Sequence, residues 1–456
     1  MKILTLFAEA ISAFRTLAGS RNAVLMRIRR GIAANIFGQF VSVAIQLATL
    51  PVLLAHWGVE VFGVWTLISV VPSYLGMADL GFTTAATSKM TMAHGRGDEA
   101  KAANIFKCIL TLNSTLVVVG MTVAAVILAV LNADALSFGN VVDGESIKLA
   151  LMCFVIATLT SVAWNAVSGA LQADGQYALA TVYGDSTRLV DSLATLAVVG
   201  ILHGGIPEVA ISIMVVRIAA AAAGMAMVKR RVSWVDYNLT NVDLRELRSL
   251  ARPALAVLAL PIGYSLSLQG MILVVGSQID VRAVALFSAT RTVARLSSQA
   301  VALANHASMP ELARAAGANS WGRASRLIWL NILAATAVAG LFLLAVNLLG
   351  PNLIAIWSDG HLEPSRLLLL LISTACAIQA MSNASGNMLV ALNSHGRYAY
   401  AFLGMAAVGV GAAFLVARPF GLYGVAWSSL AAESLMLVVS IVEVRRRIHQ
   451  YMVRAD

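Results

Sequence analysis

Apolar segments long enough to cross a bilayer recur along almost the whole chain, and no other feature of the sequence constrains the fold as strongly. A hydrocarbon core of about 30 Å takes roughly 20 residues of helix, and only helices or closed barrels satisfy their backbone groups inside it. Twelve such segments can be marked, at 30–56, 61–88, 104–131, 146–172, 177–202, 206–228, 249–276, 281–309, 323–349, 364–392, 396–417 and 421–444. With 59% hydrophobic and 12% charged residues in 456, and a mean hydropathy of +0.82, the balance is far from that of a soluble domain.

The net charge of +10 could suggest nucleic acid, but its distribution follows the positive-inside rule instead, and no nucleic-acid partner is expected. With the N-terminus in the cytoplasm, 24 of the 32 Lys and Arg fall on that side. The opposite side has only Lys148, Arg282, Arg366 and Arg418, among acids such as Asp134, Asp143, Glu145, Asp359 and Glu363. An even number of spans with both termini cytoplasmic is the consistent solution. Cys108, Cys153 and Cys376 lie in apolar spans without metal-ligand spacing and read as packing residues; neither a disulfide framework nor a metal site is expected. The opening MKILTLFAEAISAFRTLAGS is interrupted by Glu9 and Arg15 and reads as an interfacial amphipathic helix rather than a signal peptide.

The breaks are brief except at KRRVSWVDYNLTNVDLRELRS, 229–249, which divides six spans from six. LQADGQYALA at 171–180 aligns with LNSHGRYAYA at 392–401, matching Gly175 to Gly396 and Tyr177 to Tyr398. TSKMTMAHGRGDEAKAANIF at 87–106 aligns with MPELARAAGANSWGRASRLIW at 309–329, matching Gly95 to Gly317. A repeat of an even number of spans keeps both halves in one orientation, which is a transporter's architecture. The expected fold is therefore all-α, with twelve transmembrane helices in two six-helix bundles related by a pseudo-twofold axis along the membrane normal. The expected segments are an interfacial 1–29, a first bundle 30–228, a linker 229–248, a second bundle 249–444 and a basic tail 445–456.

An arginine at a helix centre costs about 2.5–3.5 kcal/mol on insertion scales, so Arg291 and Arg295 in the eighth span should face protein or water. At 100° per residue they share one side with Ser288, Ser298, Gln299, Asn305 and His306, opposite Leu286, Val293, Leu296 and Leu303. They either line a cavity or pair with acids on a neighbouring helix. The fifth span has a second stripe, in which Asp185, Arg188 and Asp191 stand at i, i+3 and i+6 and can neutralise one another locally. Arg217, Asp79 and Glu433 complete the intramembrane charges. Asp79 either binds a coupling cation or caps the turn in ADLGF. Arg291, Arg295, Arg188 and Arg217 are the candidates for a cationic cavity; Asp79, Asp185, Asp191 and Glu433 are the candidates for H+ or Na+ coupling. No Ser/His/Asp set, HExxH, Walker loop or nucleotide fingerprint is present, so no enzyme and no cofactor are expected.

RRGIAANIFGQFVSVAIQLATLPVLLAHWGVEVFGVWTLI, followed by ADLGF and MTMAHGRGDEAKAANIF, resembles the polysaccharide-transport branch of the multidrug/oligosaccharidyl-lipid/polysaccharide exporter superfamily, which includes the Wzx-type O-antigen flippases. The resemblance covers roughly 25–445 and is strongest over 30–106. It implies two six-helix bundles around a cavity that opens alternately to cytoplasm and periplasm, moving an undecaprenyl-pyrophosphate-linked oligosaccharide outward across the bacterial inner membrane. Cationic cavities are typical of these flippases, and Arg291 and Arg295 match that character by location rather than by motif. The lipid II flippases of the superfamily carry two further C-terminal spans that this chain lacks. Expected partners are the lipid-linked oligosaccharide, membrane lipids, a polysaccharide polymerase and a chain-length regulator, with the transporter itself a monomer. The alternative on the same fold is a cation-coupled multidrug antiporter, which calls for buried carboxylates and aromatic walls.

Overall fold

The computed structural model describes residues 23–77, 79, 81–139, 141–238, 244–302, 312, 315, 320–392 and 396–452. The expected interfacial helix before residue 23, and Asn305 and His306, lie outside them. Among the described residues there is no strand.

In chain order the helices are α1 (Ala23–Ile68), α2 (Val70–Leu75), α3 (Phe82–Gly95), α4 (Glu99–Val130), α5 (Ala133–Leu136), α6 (Gly144–Ala173), α7 (Tyr177–Gly200) and α8 (Ile206–Arg231). After the linker come α9 (Leu244–Ser265), a π-helical turn (Leu266–Gly270), α10 (Met271–Gln278), α11 (Val281–Ala294), α12 (Trp321–Trp357), α13 (Arg366–Ala391) and α14 (Gly396–Met452). Helix starts repeat along the chain, Glu99 and Gly144 recurring 222 residues later as Trp321 and Arg366.

Eight stretches are long and apolar enough to cross a membrane. Two of them are double crossings. In α1 the backbone turns at Gly58 (φ 70°), and in α14 at Gly421 (φ 57°), a left-handed conformation that costs a glycine little. The two expected spans that fail the apolar criterion are the fifth and the eighth. They carry Asp185, Arg188 and Asp191, and Arg291 and Arg295, respectively. The three charges remove α7 from a purely hydropathic list, and the break at Arg295 leaves α11, with fourteen residues, too short for it. With α7 and α11 included, the described helices resolve into the twelve expected crossings.

Several spans differ from the sequence reading in detail. The second crossing, read as continuous over 61–88, is interrupted at Ser69 and again between α2, which ends at Leu75, and α3, which starts at Phe82. The eighth breaks at Arg295, after which helix resumes over 296–302. The ninth extends to Trp357, and helix continues through the expected tail to Met452.

The chain forms two compact units. One comprises the described part of Met1–Thr49 with Leu75–Leu136 and Gly144–Val257; the other comprises Leu50–Tyr74, Ser137–Asp143 and the described part of Leu258–Asp456. The segments 50–74 and 137–143 thus group with the second unit, a division the linear boundary at 229–248 does not capture. In the first unit α6 packs on α4 and α8 around Met90, Phe106, Ile109 and Leu171. Ala86, Ala102, Ala166 and Ala170 are fully buried there. Lipid supplies no hydrophobic force between helices, so such small residues stabilise by letting backbones approach. In the second unit α13 packs on α12 and α14, with Met271, Ile272, Phe287 and Ile372 in its core.

Candidate functional site

The eighth crossing explains how two arginines are held in an apolar unit. Asp280 caps α11, its carboxylate accepting from the Ala283 amide at 2.7 Å, and the helix ends fourteen residues later, at Ala294. Arg291 is in the last turn and Arg295 is the C-cap. Helix C-termini carry partial negative charge on unsatisfied carbonyls, so the break places two cations where the backbone favours them. Arg291 Nη1 also donates to the Leu268 carbonyl at 2.7 Å, inside the π-helical turn, and its guanidinium lies 5.0 Å from the Phe287 ring centre. Among the described residues neither arginine has an acid within 4.0 Å, so the alternative of pairing with acids on a neighbouring helix is not what this structure adopts.

Both arginines line a cavity of about 20 Å³ in the second unit, together with Ser267, Cys376, Gln379 and Glu433. That volume holds about one water. Glu433, on α14, is 6% exposed. Its Oε1 accepts from Gln379 Nε2 at 2.6 Å and from Ser267 Oγ at 3.3 Å, while Oε2 is buried without a partner. A buried carboxylate satisfied on one oxygen and open on the other can take a proton there. Gln379, Ser267 and the Leu268 carbonyl were not singled out from the sequence. Gln379 was legible as a polar residue in an apolar span, but the widened turn at 266–270 had no local signature. Cys376, read as a packing residue, faces this charged cavity.

The first unit holds the other candidates. On α7, Arg188 pairs with Asp185 at 3.3 Å and donates to Ser42 Oγ on α1 at 3.1 Å. Asp185 is 14% exposed on its side chain, and a methyl group on Gly38 would fall 2.2 Å from its Oδ2, so that glycine makes room for the carboxylate. Asp191 does not join Arg188. It pairs instead with Arg217 on α8 at 2.9 Å, and Arg217 also donates to Ser161 Oγ at 3.3 Å. Of the four candidate arginines, Arg188 and Arg217 are therefore paired with acids, while Arg291 is held by a backbone carbonyl. Asp79 closes a turn: its Oδ1 accepts from the Gly81 amide at 3.2 Å and its carbonyl from the Phe82 amide at 2.9 Å. Among the described residues no three His, Cys, Asp or Glu side chains converge as a metal site would require.

This arrangement of crossings is a known fold. It is shared with MATE transporters of the MOP superfamily. An inward-facing multidrug resistance MATE family transporter matches with a TM-score of 0.70 at 16% identity, over 90% of this chain and 99% of the other. An outward-facing one matches with 0.61 at 17%, over 95% and 97%. A MOP superfamily transporter from Pyrococcus furiosus, described as having a binding pocket of reverse polarity that suggests a different function, matches with 0.61 at 15%, over 94% and 96%. None of these three is described as a polysaccharide flippase. No protein-family model and no curated protein sequence matches the chain.

Proposed function

We propose that this multi-pass membrane protein is a bacterial inner-membrane flippase, with both termini cytoplasmic. Its cargo is an undecaprenyl-pyrophosphate-linked oligosaccharide, moved outward by alternating access for surface polysaccharide assembly. The observation that carries the reading is the pair Arg291 and Arg295, one turn apart at a helix break and without an acid partner among the described residues. A pyrophosphate must cross a low-dielectric layer, where each unneutralised charge is costly and each matched charge lowers the barrier. In this form the cavity behind the arginines is too small for a pyrophosphate, so cargo enters only when α11 and the π-helical turn separate. Arg188 and Arg217, already balanced by Asp185 and Asp191, assist less. For coupling, Glu433 is preferred over Asp185 and Asp191, which are held in ion pairs, and over Asp79, whose carboxylate closes a turn, because its buried free oxygen can exchange a proton without breaking either. The coupling ion in this reading is H+.

The second reading, a cation-coupled multidrug antiporter, is favoured by the names of two structural neighbours, both multidrug resistance transporters. The fold alone does not choose, since a neighbour of the same fold is described with a pocket of reverse polarity. The deciding test exchanges the two arginines in cells that depend on this protein for surface glycan. Arg291→Ala with Arg295→Ala should abolish export and the Lys pair should retain part of it, since charge matters more here than fork geometry. Normal glycan from a stably expressed double-Ala protein would eliminate the anionic-cargo reading.

A further inference from the structure

The second unit has another cavity, at the end where the odd-numbered crossings finish. The turns after the first, third, seventh, ninth and eleventh crossings meet there and enclose about 910 Å³. This is within the range of pockets that bury small ligands, roughly 300–1,000 Å³. Its polar lining is Glu60, Asp280, Arg282, His361 and Glu363, with Trp57 and Leu422 as apolar walls. Arg282 is engaged by Glu60, Nε to Oε1 at 2.7 Å. Asp280 uses Oδ1 on the α11 cap, and neither it nor Glu363 has an ion pair among the described residues. Carboxylate acceptors therefore outnumber uncommitted cations. Trp57 makes an edge contact with Trp65 at 5.6 Å, which fixes the ring at the wall.

A second, apolar groove of about 650 Å³ begins on the other side of the same turn. It runs along both arms of α14, lined by Phe420, Tyr423, Trp427 and Leu435. The two cavities flank the turn at Gly421: Leu422 lines the polar one, Phe420 and Tyr423 the groove. The Tyr423 hydroxyl is bonded to Ser365 Oγ at 2.8 Å, two residues from Glu363. Phe420 is 64% and Trp427 56% exposed, so the groove is open along its length.

A polar chamber beside an apolar groove fits an amphiphile. We propose that this is a holding site for a lipid-linked saccharide on the face opposite the basic loops, with the sugar in the chamber and the hydrocarbon chain along α14. The group in the chamber is the uncharged saccharide and not the linking phosphate, which falls between chamber and groove, because Asp280 and Glu363 repel an anion but accept hydrogen bonds from hydroxyls. The Trp57 ring offers a flat apolar face of the kind that packs on a sugar ring. The proposal rests on the lipid-linked glycan reading for its cargo, and it assigns the glycan a site distinct from the arginines.

The test uses the full chain in amphipol and a photoreactive dodecyl maltoside, a neutral disaccharide on one alkyl chain. Mass spectrometry should map labelling to 420–435 and to the turn at 57–60. Excess unlabelled dodecyl maltoside should suppress it, whereas dodecyl phosphate and dodecyltrimethylammonium should not. Trp57→Ala and Glu363→Gln should each weaken labelling by about tenfold, the size of one lost ring-packing face or one lost charge-assisted hydrogen bond, respectively. Glu363→Gln preserves shape and decides the matter if Trp57→Ala fails to fold. Competition by dodecyltrimethylammonium alone would overturn the saccharide assignment. Labelling indifferent to competitors and to both substitutions would reduce the groove to annular lipid contact and overturn the site. A protein that binds maltoside here yet flips no glycan retains this site and loses the transport reading; the converse result removes this site alone.

Discussion

Replacing Arg217 by Met isolates the electrostatics of the first unit. The methionine keeps an apolar stem but leaves Asp191, 10% exposed on its side chain, without its partner at 2.9 Å. Its Oδ1 already lacks a hydrogen bond, so the whole carboxylate would be buried and unsatisfied. Breaking a buried pair from one side costs about 3–5 kcal/mol. Arg217 is itself 31% exposed, so screening lowers the expected cost to about 2–3 kcal/mol. In detergent, at one fixed scan rate because large chains unfold irreversibly, this corresponds to a fall in Tm of roughly 2–6 °C. Adding Asp191→Asn to Arg217→Met should restore most of the loss, since the penalty comes from the stranded charge and not from the missing arginine. An unchanged Tm in Arg217→Met, or a double variant no better than the single one, would refute the assignment of this pair to structure.

Asp79→Asn should leave Tm and transport close to the parent, because an amide oxygen accepts the Gly81 amide equally well; a large loss of gradient-driven transport would return Asp79 to the coupling candidates. Gly38→Ala should lower Tm and expose Asp185 to solvent labelling, because the added methyl would lie 2.2 Å from the carboxylate; an unaltered protein would show that α1 and α7 separate freely. The Lys107 ammonium on α4, 2.8 Å from the linker residue Asp236, holds that carboxyl below its ordinary range. A depressed acid contributes stability above its unfolded value, near 3.9, that is lost as pH falls through the folded one. Lys107→Met should therefore flatten the dependence of Tm on pH below about 4, and an unchanged acid limb would contradict the pairing.

The crossings were legible because membrane spanning imposes a length and a composition, and breaks such as Gly58 and Gly421 fall between apolar runs that the eye already separates. The charges were legible too, since an arginine in an apolar span stands out. Their partners were not. Asp191 was three residues from Arg188 and its true partner is Arg217, 26 residues away, because side-chain direction on α7 and its packing against α8 decide the pairing. The break at Arg295 and the π-helical turn that offers the Leu268 carbonyl have no local sequence signal, yet they are what lets Arg291 lie in an apolar unit without an acid. The ADLGF turn was readable because Asp two residues before Gly is a local motif, and local motifs survive without tertiary context.

The central claim is that the cargo is anionic and meets Arg291 and Arg295. Its most direct measurement is translocation in proteoliposomes under an imposed proton gradient, comparing a fluorescent polyprenyl-pyrophosphate-linked saccharide with a lipophilic organic cation. The account predicts gradient-driven movement of the pyrophosphate-linked saccharide, lost in Arg291→Ala with Arg295→Ala and partly recovered in the Lys pair, with no movement of the cation. Transport of the cation, undiminished or improved in the double-Ala protein, with no movement of the pyrophosphate-linked saccharide, would contradict it.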